Sequence, residues 1–179
     1  MKAPDIERRP RHPSNPDGAS SGLMDLDAAI AWRAALREDG LRLVMTNGCF
    51  DLLHVGHLRY LRAARALGDR LIIALNDDAS TRGLKGVGRP ILPLAERAEL
   101  LLALDAVDAV MAFGTATAVD PVRRLRPDVY VKGGDYDAAS RRPPEADAAE
   151  EAGGAVVFLP FVAGRSTTGL IERIRELGR

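Results

Sequence analysis

Five short apolar runs punctuate the chain: Leu41 to Met45, Arg70 to Leu75, Val107 to Phe113, Asp128 to Val131 and Ala155 to Pro160. Runs of this length, bounded by Gly, Pro, Asn and Asp, read as strands buried on both faces. Between them apolar residues recur at helical spacing. Residues 58–67 predict an amphipathic helix, and 94–104 a second, with Pro93 at its favoured first position. Residues 119–125 predict a short third, stopped before Pro127. Residues 145–152 make a fourth, closed by Gly153-Gly154, and 169–177 a last one, opened by Ser166-Thr167-Thr168. Ahead of the first strand, Asp25 or Asp27 caps a helix through Ala28 to Leu36 that Gly40 ends. Ala79 to Pro93 has Gly83, Gly86, Gly88 and Pro90, and reads as an irregular loop. Strands alternating with helices predict an α/β domain, an open five-stranded parallel sheet with helices on both faces. The domain is expected over 23–179. Residues 1–22, with Pro4, Pro10, Pro13 and Pro16 among charged residues, are expected to form a disordered tail.

Such sheets bind ligands outside the carboxyl ends of their strands, where the strand order reverses. That rule gathers His54, Asn76, Lys85, Lys132 and Ser166, far apart in sequence, toward one crevice. The totals narrow the ligand. Among 179 residues, 25 are Lys or Arg and 25 are Asp or Glu, so no global field recruits nucleic acid or a membrane surface, and any electropositive site is local. One cysteine excludes an intrachain disulfide and fits a reducing cytoplasm. No apolar stretch approaches the roughly 18 residues of a membrane span, and the N-terminus lacks a signal-peptide core. A soluble, cytoplasmic, single-domain protein is expected.

The chemistry concentrates in Thr46-Asn47-Gly48-Cys49-Phe50-Asp51-Leu52-Leu53-His54-Val55-Gly56-His57, where strand gives way to helix. Free N–H groups and the helix dipole favour an anion there. His54 and His57 sit three apart with Gly56 between them, a spacing that can set both imidazoles on one side of the turn. Together with the backbone they could hold a triphosphate and stabilise charge growing at its α-phosphorus. The plainer alternative makes one histidine a core residue and the other a helix cap. A zinc site of Cys49, Asp51, His54 and His57 is a minority reading, because paired structural spacings are missing. Cys49 as nucleophile is weaker than Cys49 as packing.

Lys85 and Arg89, in the predicted loop, could clamp outer phosphates or be solvated cations. Arg97 reads as a surface charge unless its helix faces the crevice. Gly83 to Gly88 is neither a dinucleotide fingerprint nor a P-loop. Lys132-Gly133-Gly134-Asp135 leaves a strand with two glycines that let backbone approach a ligand and two opposite charges for a phosphate and a hydroxyl. Ser166-Thr167-Thr168 is an N-cap and, with its hydroxyls and amides, a second anion site.

These residues resemble the HxGH nucleotidylyltransferase superfamily. The likeness rests on Asn47 to Asp51 followed by His54-Val55-Gly56-His57, on Leu71 to Ser80, Leu84 to Pro90, Val131 to Tyr136, Leu159-Pro160-Phe161 and Ser166-Thr167-Thr168. Within the superfamily it is nearest the heptose 1-phosphate adenylyltransferase domain, which bacteria often carry behind a sugar kinase. It runs from about Asp25 to the C-terminus.

The resemblance implies a Rossmann-like fold and transfer of AMP from ATP to a sugar 1-phosphate, giving an ADP-sugar and pyrophosphate. It implies that His54, His57 and Lys85 carry the chemistry. It implies a nucleotide site drawn from Thr46, Asn47, Gly48, Cys49, Phe50, Gly56, Asn76, Asp78, Arg89, Lys132, Gly133, Gly134, Asp135, Ser166 and Thr167. Magnesium is expected on the ATP phosphates without dedicated protein ligands, and a homodimer is expected. No kinase pattern precedes the motif, so a separate sugar kinase is expected. Arg141-Arg142-Pro143-Pro144 and Arg165 stand where the pattern has other residues, which bears on the choice of sugar. Cytidylyltransferases acting on glycerol phosphate or ethanolamine phosphate share HxGH and Ser-Thr-Thr. They are the runner-up, since they usually lack Lys-Gly-Gly-Asp-Tyr.

Overall fold

A computed structural model describes residues 22–134, 141–160 and 167–178. In chain order the elements are β1 (Leu23–Met24), α1 (Leu26–Glu38), β2 (Leu43–Gly48), α2 (Val55–Arg65), β3 (Arg70–Asn76), α3 (Asp78–Lys85) and α4 (Leu94–Leu102). There follow β4 (Ala109–Phe113), α5 (Val119–Leu125), β5 (Val129–Gly133), α6 (Pro144–Glu151), β6 (Ala155–Leu159) and α7 (Thr167–Leu177).

The strands form one parallel sheet in the order β1-β4-β3-β2-β5-β6. Alternation along each strand sorts the apolar residues into two cores. Leu43, Met45, Ile72, Ala74, Met111 and Tyr130 face one way, against Ala29, Leu36, Val122, Leu125 and Ala149 of α1, α5 and α6. Val44, Leu71, Ile73, Leu75, Val110 and Val131 face the other way, against Leu61, Ala64, Ala98 and Leu101 of α2 and α4. Burial on both faces is why the strands are continuously apolar rather than alternating. Each buried Leu or Ile contributes about 1.5–3 kcal/mol.

Carboxylates finish the strand beginnings. Asp128 accepts from Leu43 N at 2.6 Å, Asp108 from Leu71 N at 2.8 Å and Asp69 from Arg42 N at 2.9 Å. Aspartates also start helices: Asp25 caps α1 through Ala28 N at 2.8 Å, and Asp77 caps α3 through Ser80 N at 2.7 Å.

The structure corrects three expectations. The sheet has six strands among the described residues, because Leu23–Met24 pairs with Val110 and Met111 at the edge. Two residues carry too little pattern to be read as a strand, and it is the neighbouring β4 that makes them one. Asp78 to Lys85 is a helix, not irregular loop. Asp77 supplies its cap, and Gly83 lies in its exposed last turn, where a missing side chain costs only about 1 kcal/mol. The first strand of the core also runs on through Thr46, Asn47 and Gly48, which were assigned to the turn. The expected tail, residues 1–22, lies outside the described residues apart from its last one. So do Asp135, Ser166 and Arg165.

Candidate active site

Sequential strands β2, β3 and β4 step one way across the sheet, and β5 then starts on the other side of β2. The order therefore reverses beside the carboxyl end of β2, where the histidine turn leaves the sheet. The turn is tight. Phe50 holds φ +43°, a left-handed conformation that strains a non-glycine residue by about 1–3 kcal/mol. Its ring fills the space above Gly48, where an added Cβ would lie 3.1 Å from the ring. This accounts for the glycine at 48.

The same ring meets the His57 imidazole at 5.2 Å between centroids. His57 in turn stacks on His54 at 3.9 Å and 18°. His54 is the N-cap of α2, its Nδ1 accepting from Gly56 N at 3.1 Å. A neutral imidazole that accepts at Nδ1 carries its proton on Nε2, so His54 presents Nε2–H as a donor. The plainer alternative is thus true of the cap. His57 Nδ1 is buried and meets no hydrogen-bond partner among the described residues. Burial first, then the neighbouring His54, push His57 down to about 4. At neutral pH it is uncharged.

Lysine charge arrives from β5. Lys132 Nζ donates to Asn47 Oδ1 at 2.8 Å, an atom that also accepts from Tyr130 Oη at 2.6 Å. Asn47 Nδ2 reaches Glu145 Oε1 at 3.4 Å, and that oxygen accepts from Ala118 N at 2.9 Å. Burial pushes the Lys132 ammonium down. Glu145 and Cys49 oppose this, and Lys85 adds to it by repulsion. Lys85, the exposed last residue of α3, therefore shares a field with Lys132. Near Leu52, Thr167 Oγ1 donates to the Leu52 carbonyl at 3.3 Å, which brings the start of α7 to the histidine turn.

Other expected site residues build the crevice rather than face it. Thr46 is fully buried, with its hydroxyl 2.6 Å from Tyr60 Oη, and Tyr60 donates onward to Val131 O at 3.1 Å. Burial pushes the Tyr60 phenol up. Gly133 is close-packed on that ring, where an added Cβ would lie 2.6 Å from Tyr60 Cε2. Its glycine answers a packing need. Gly134 holds φ +101°, a conformation that only glycine adopts freely. Asn76 is buried and donates to Ser80 Oγ at 3.2 Å and Thr115 O at 3.4 Å, with Cys49 Sγ at 3.9 Å from its Oδ1.

Arg89 is held by Asp51 at 2.6 Å, and Asp51 also accepts from Ile91 N at 2.7 Å and Leu92 N at 3.1 Å. Burial pushes the Asp51 carboxyl up, but Arg89 and the two amides outweigh it and hold the carboxyl below its ordinary value. Asp51 is thereby committed to the 89–92 segment rather than to a metal.

Sequence reasoning missed Arg97. It is fully buried, not a surface charge. Its guanidinium donates to Cys49 O at 2.6 Å, Asn76 O at 2.9 Å, Leu92 O at 3.0 Å and Asp78 Oδ1 at 2.7 Å. One side chain thus joins the β2 turn, the end of β3, the start of α3 and the 89–92 segment. Its signal was present: Leu94, Arg97, Ala98 and Leu101 share one face of α4. Glu145 with Ala148 and Ala149, and Tyr60 with Leu61 and Ala64, show the same phase.

The pattern of the cytidylyltransferase-like family matches residues 45–157, from within β2 into β6. The chain belongs to that family. The matched region includes both histidines, Lys85 and Lys132. Among curated proteins, the chain is 49% identical over 164 residues to the bifunctional protein HldE of Halorhodospira halophila, covering 89% of this chain and 33% of that protein. It is 47% identical over 167 residues to HldE of Streptomyces coelicolor, covering 93% and 36%. The chain therefore spans about a third of the length of these relatives. Among solved structures it resembles the lipopolysaccharide core biosynthesis protein of Thermoplasma volcanium, with a TM-score of 0.56 and 27% identity over 68% of this chain and 97% of that one.

Proposed function

We propose that the chain transfers AMP from ATP to a sugar 1-phosphate, a heptose 1-phosphate being the expected acceptor, and releases an ADP-sugar and pyrophosphate. The observation that carries this reading is the stacked His54–His57 pair at the N-terminus of α2, set at the reversal point of the sheet. The HldE relatives support it, since the aligned third of those proteins is their adenylyltransferase domain.

In this reading a phosphate oxygen of the sugar 1-phosphate attacks the α-phosphorus of ATP in line. A new P–O bond forms as the bond to the β-phosphate bridging oxygen breaks, and pyrophosphate leaves with that electron pair. No covalent enzyme intermediate is required. The chain's work is positioning and charge stabilisation. His54 Nε2–H and the amides at the start of α2 face the growing negative charge. His57, neutral before binding, gains a proton more readily once phosphate is beside it. Lys132 and Lys85 repel each other, and a polyphosphate between them would relieve that repulsion.

Magnesium belongs to the same proposal. Among the described residues no three His, Cys, Asp or Glu side chains converge to hold a metal, and Asp51 and Asp78 are paired with Arg89 and Arg97. In this proposal the cation is carried on the ATP phosphates, whose charge it would partly neutralise. Among the described residues no helix is long and apolar enough to cross a membrane. A cytoplasmic location and a homodimer complete the proposal, and sedimentation of the purified chain tests the latter.

The deciding experiment measures pyrophosphate release with each nucleoside triphosphate against a panel of sugar and alcohol phosphates. ATP with a sugar 1-phosphate is expected to dominate. Preference for CTP with glycerol phosphate or ethanolamine phosphate would overturn the reading in favour of the runner-up.

A further inference from the structure

At the opposite end of the sheet, where β2 and β5 begin, an open cavity of about 450 Å³ is lined by Arg33, Arg37, Arg42 and Arg126. Among the described residues the one carboxylate lining it is Asp128, which pairs with Arg33 at 2.9 Å and also accepts from Leu43 N. Six strand residues rising about 3.3 Å each put this cavity about 20 Å from the histidine pair.

Four guanidiniums present about twenty N–H donors. Few are used. Arg33, 4% exposed, reaches Leu41 O at 3.4 Å and Arg126 O at 3.3 Å besides Asp128. Arg37 reaches Arg126 O at 3.1 Å, and Arg126 reaches Ala152 O at 3.4 Å. Arg33 Nε is buried and meets no hydrogen-bond partner among the described residues. Burial and then the neighbouring Arg33 and Arg126 push the Arg37 guanidinium down from its ordinary value, the response of a cation held among cations. Arg126 sits here at φ +49°, a strained backbone that brings its carbonyl to both Arg33 and Arg37.

Carbonyls at the ends of α1 and α5 explain why arginines are tolerated here. They do not explain four of them around a cavity, with donors far in excess of acceptors. We propose that this arginine-lined cavity binds a diphosphate group, free or as part of a nucleotide. A diphosphate offers many acceptor oxygens for paired N–H donors, and the cavity exceeds the space one phosphate fills. Because β2 and β5 begin here and carry Asn47 and Lys132 near their far ends, the site stands on the same two strands as the crevice.

Amide chemical-shift mapping on the ¹⁵N-labelled full chain tests this, with pyrophosphate, ADP, orthophosphate and chloride at matched ionic strength. Saturable shifts at Leu41, Arg42, Asp128 and Gly153 are expected with pyrophosphate or ADP, apart from those at Gly56 and His57; whichever binds tighter separates the free from the nucleotide-borne diphosphate. Arg37→Gln with Arg126→Gly should weaken the cavity response about tenfold or more. The crevice response, retained, shows that the variant is folded. The proposal is overturned if only the crevice responds, if chloride gives the same shifts, if orthophosphate binds more tightly than either diphosphate, or if the double variant leaves the cavity response unchanged.

Discussion

Lowering the pH should destabilise the native chain through His57. Its imidazole ionises near 4 in the folded protein, against 6.5 for an ordinary histidine. Between those values the unfolded chain binds a proton that the native one refuses. Stability therefore rises with pH across this window, is complete above about pH 6.5, and is lost as pH falls toward 4. Each unit of separation corresponds to about 1.4 kcal/mol, so the full interval amounts to about 3 kcal/mol. Solvent at the mouth of the crevice screens part of it, leaving about 2 kcal/mol. Urea unfolding of wild type and His57→Gln, measured every half unit from pH 7 to pH 4, isolates the contribution, because carboxylates titrate alike in both. Wild type should lose about 2 kcal/mol more than the variant. Parallel curves would refute the reasoning. Bound phosphate reverses the sign of the field, so ATP binding at pH 6 should take up protons. Calorimetry in two buffers of different ionisation enthalpy reads that uptake, which should shrink in His57→Gln.

Arg97→Met should cost about 3–5 kcal/mol, because it leaves Asp78 unpaired and removes the donor to the carbonyls of Cys49, Asn76 and Leu92; thermal unfolding measures it, and a near-neutral result would mean the guanidinium is not the tie described. Gly133→Ala should destabilise by about 1–3 kcal/mol through its clash with the Tyr60 ring, and Tyr60→Leu in the same chain should recover part of the loss in melting temperature. Lys85→Ala should remove most turnover while leaving the unfolding free energy within about 0.5 kcal/mol of wild type, since the side chain is exposed at the end of α3; a large loss in both would place Lys85 in the scaffold.

The β2, β3, β4 and β5 cores were legible because burial on both faces leaves only apolar residues to choose from. The histidine turn was legible because glycine and two imidazoles at a strand-to-helix junction have few other uses. Less legible were polar residues whose partners lie far away in the chain. Arg97, Tyr60 and Glu145 occupy apolar phases of their helices, and only the fold shows that carbonyls, a threonine hydroxyl and an amide wait for them there. Arg89 illustrates the converse. Its place in a glycine-rich stretch made it a candidate phosphate clamp, while Asp51, thirty-eight residues earlier, holds its guanidinium. Asp78 to Lys85 escaped because a capping aspartate outweighed a glycine whose cost is small at a helix end.

The ladder between β2 and β5 covers only Val44–Val129 and Met45–Tyr130, whereas β2 and β3 pair along six residues. Both central strands carry on past that point, to Gly48 and Gly133. The crevice is therefore a wedge opened in the sheet rather than a hollow in its surface, and Asn47 with Lys132 spans its base. A nucleotide bound there, as proposed, would stand in for the missing rungs. Occupancy should then be felt along the seam as mechanical closure, drawing the two halves of the sheet into a single cooperative body.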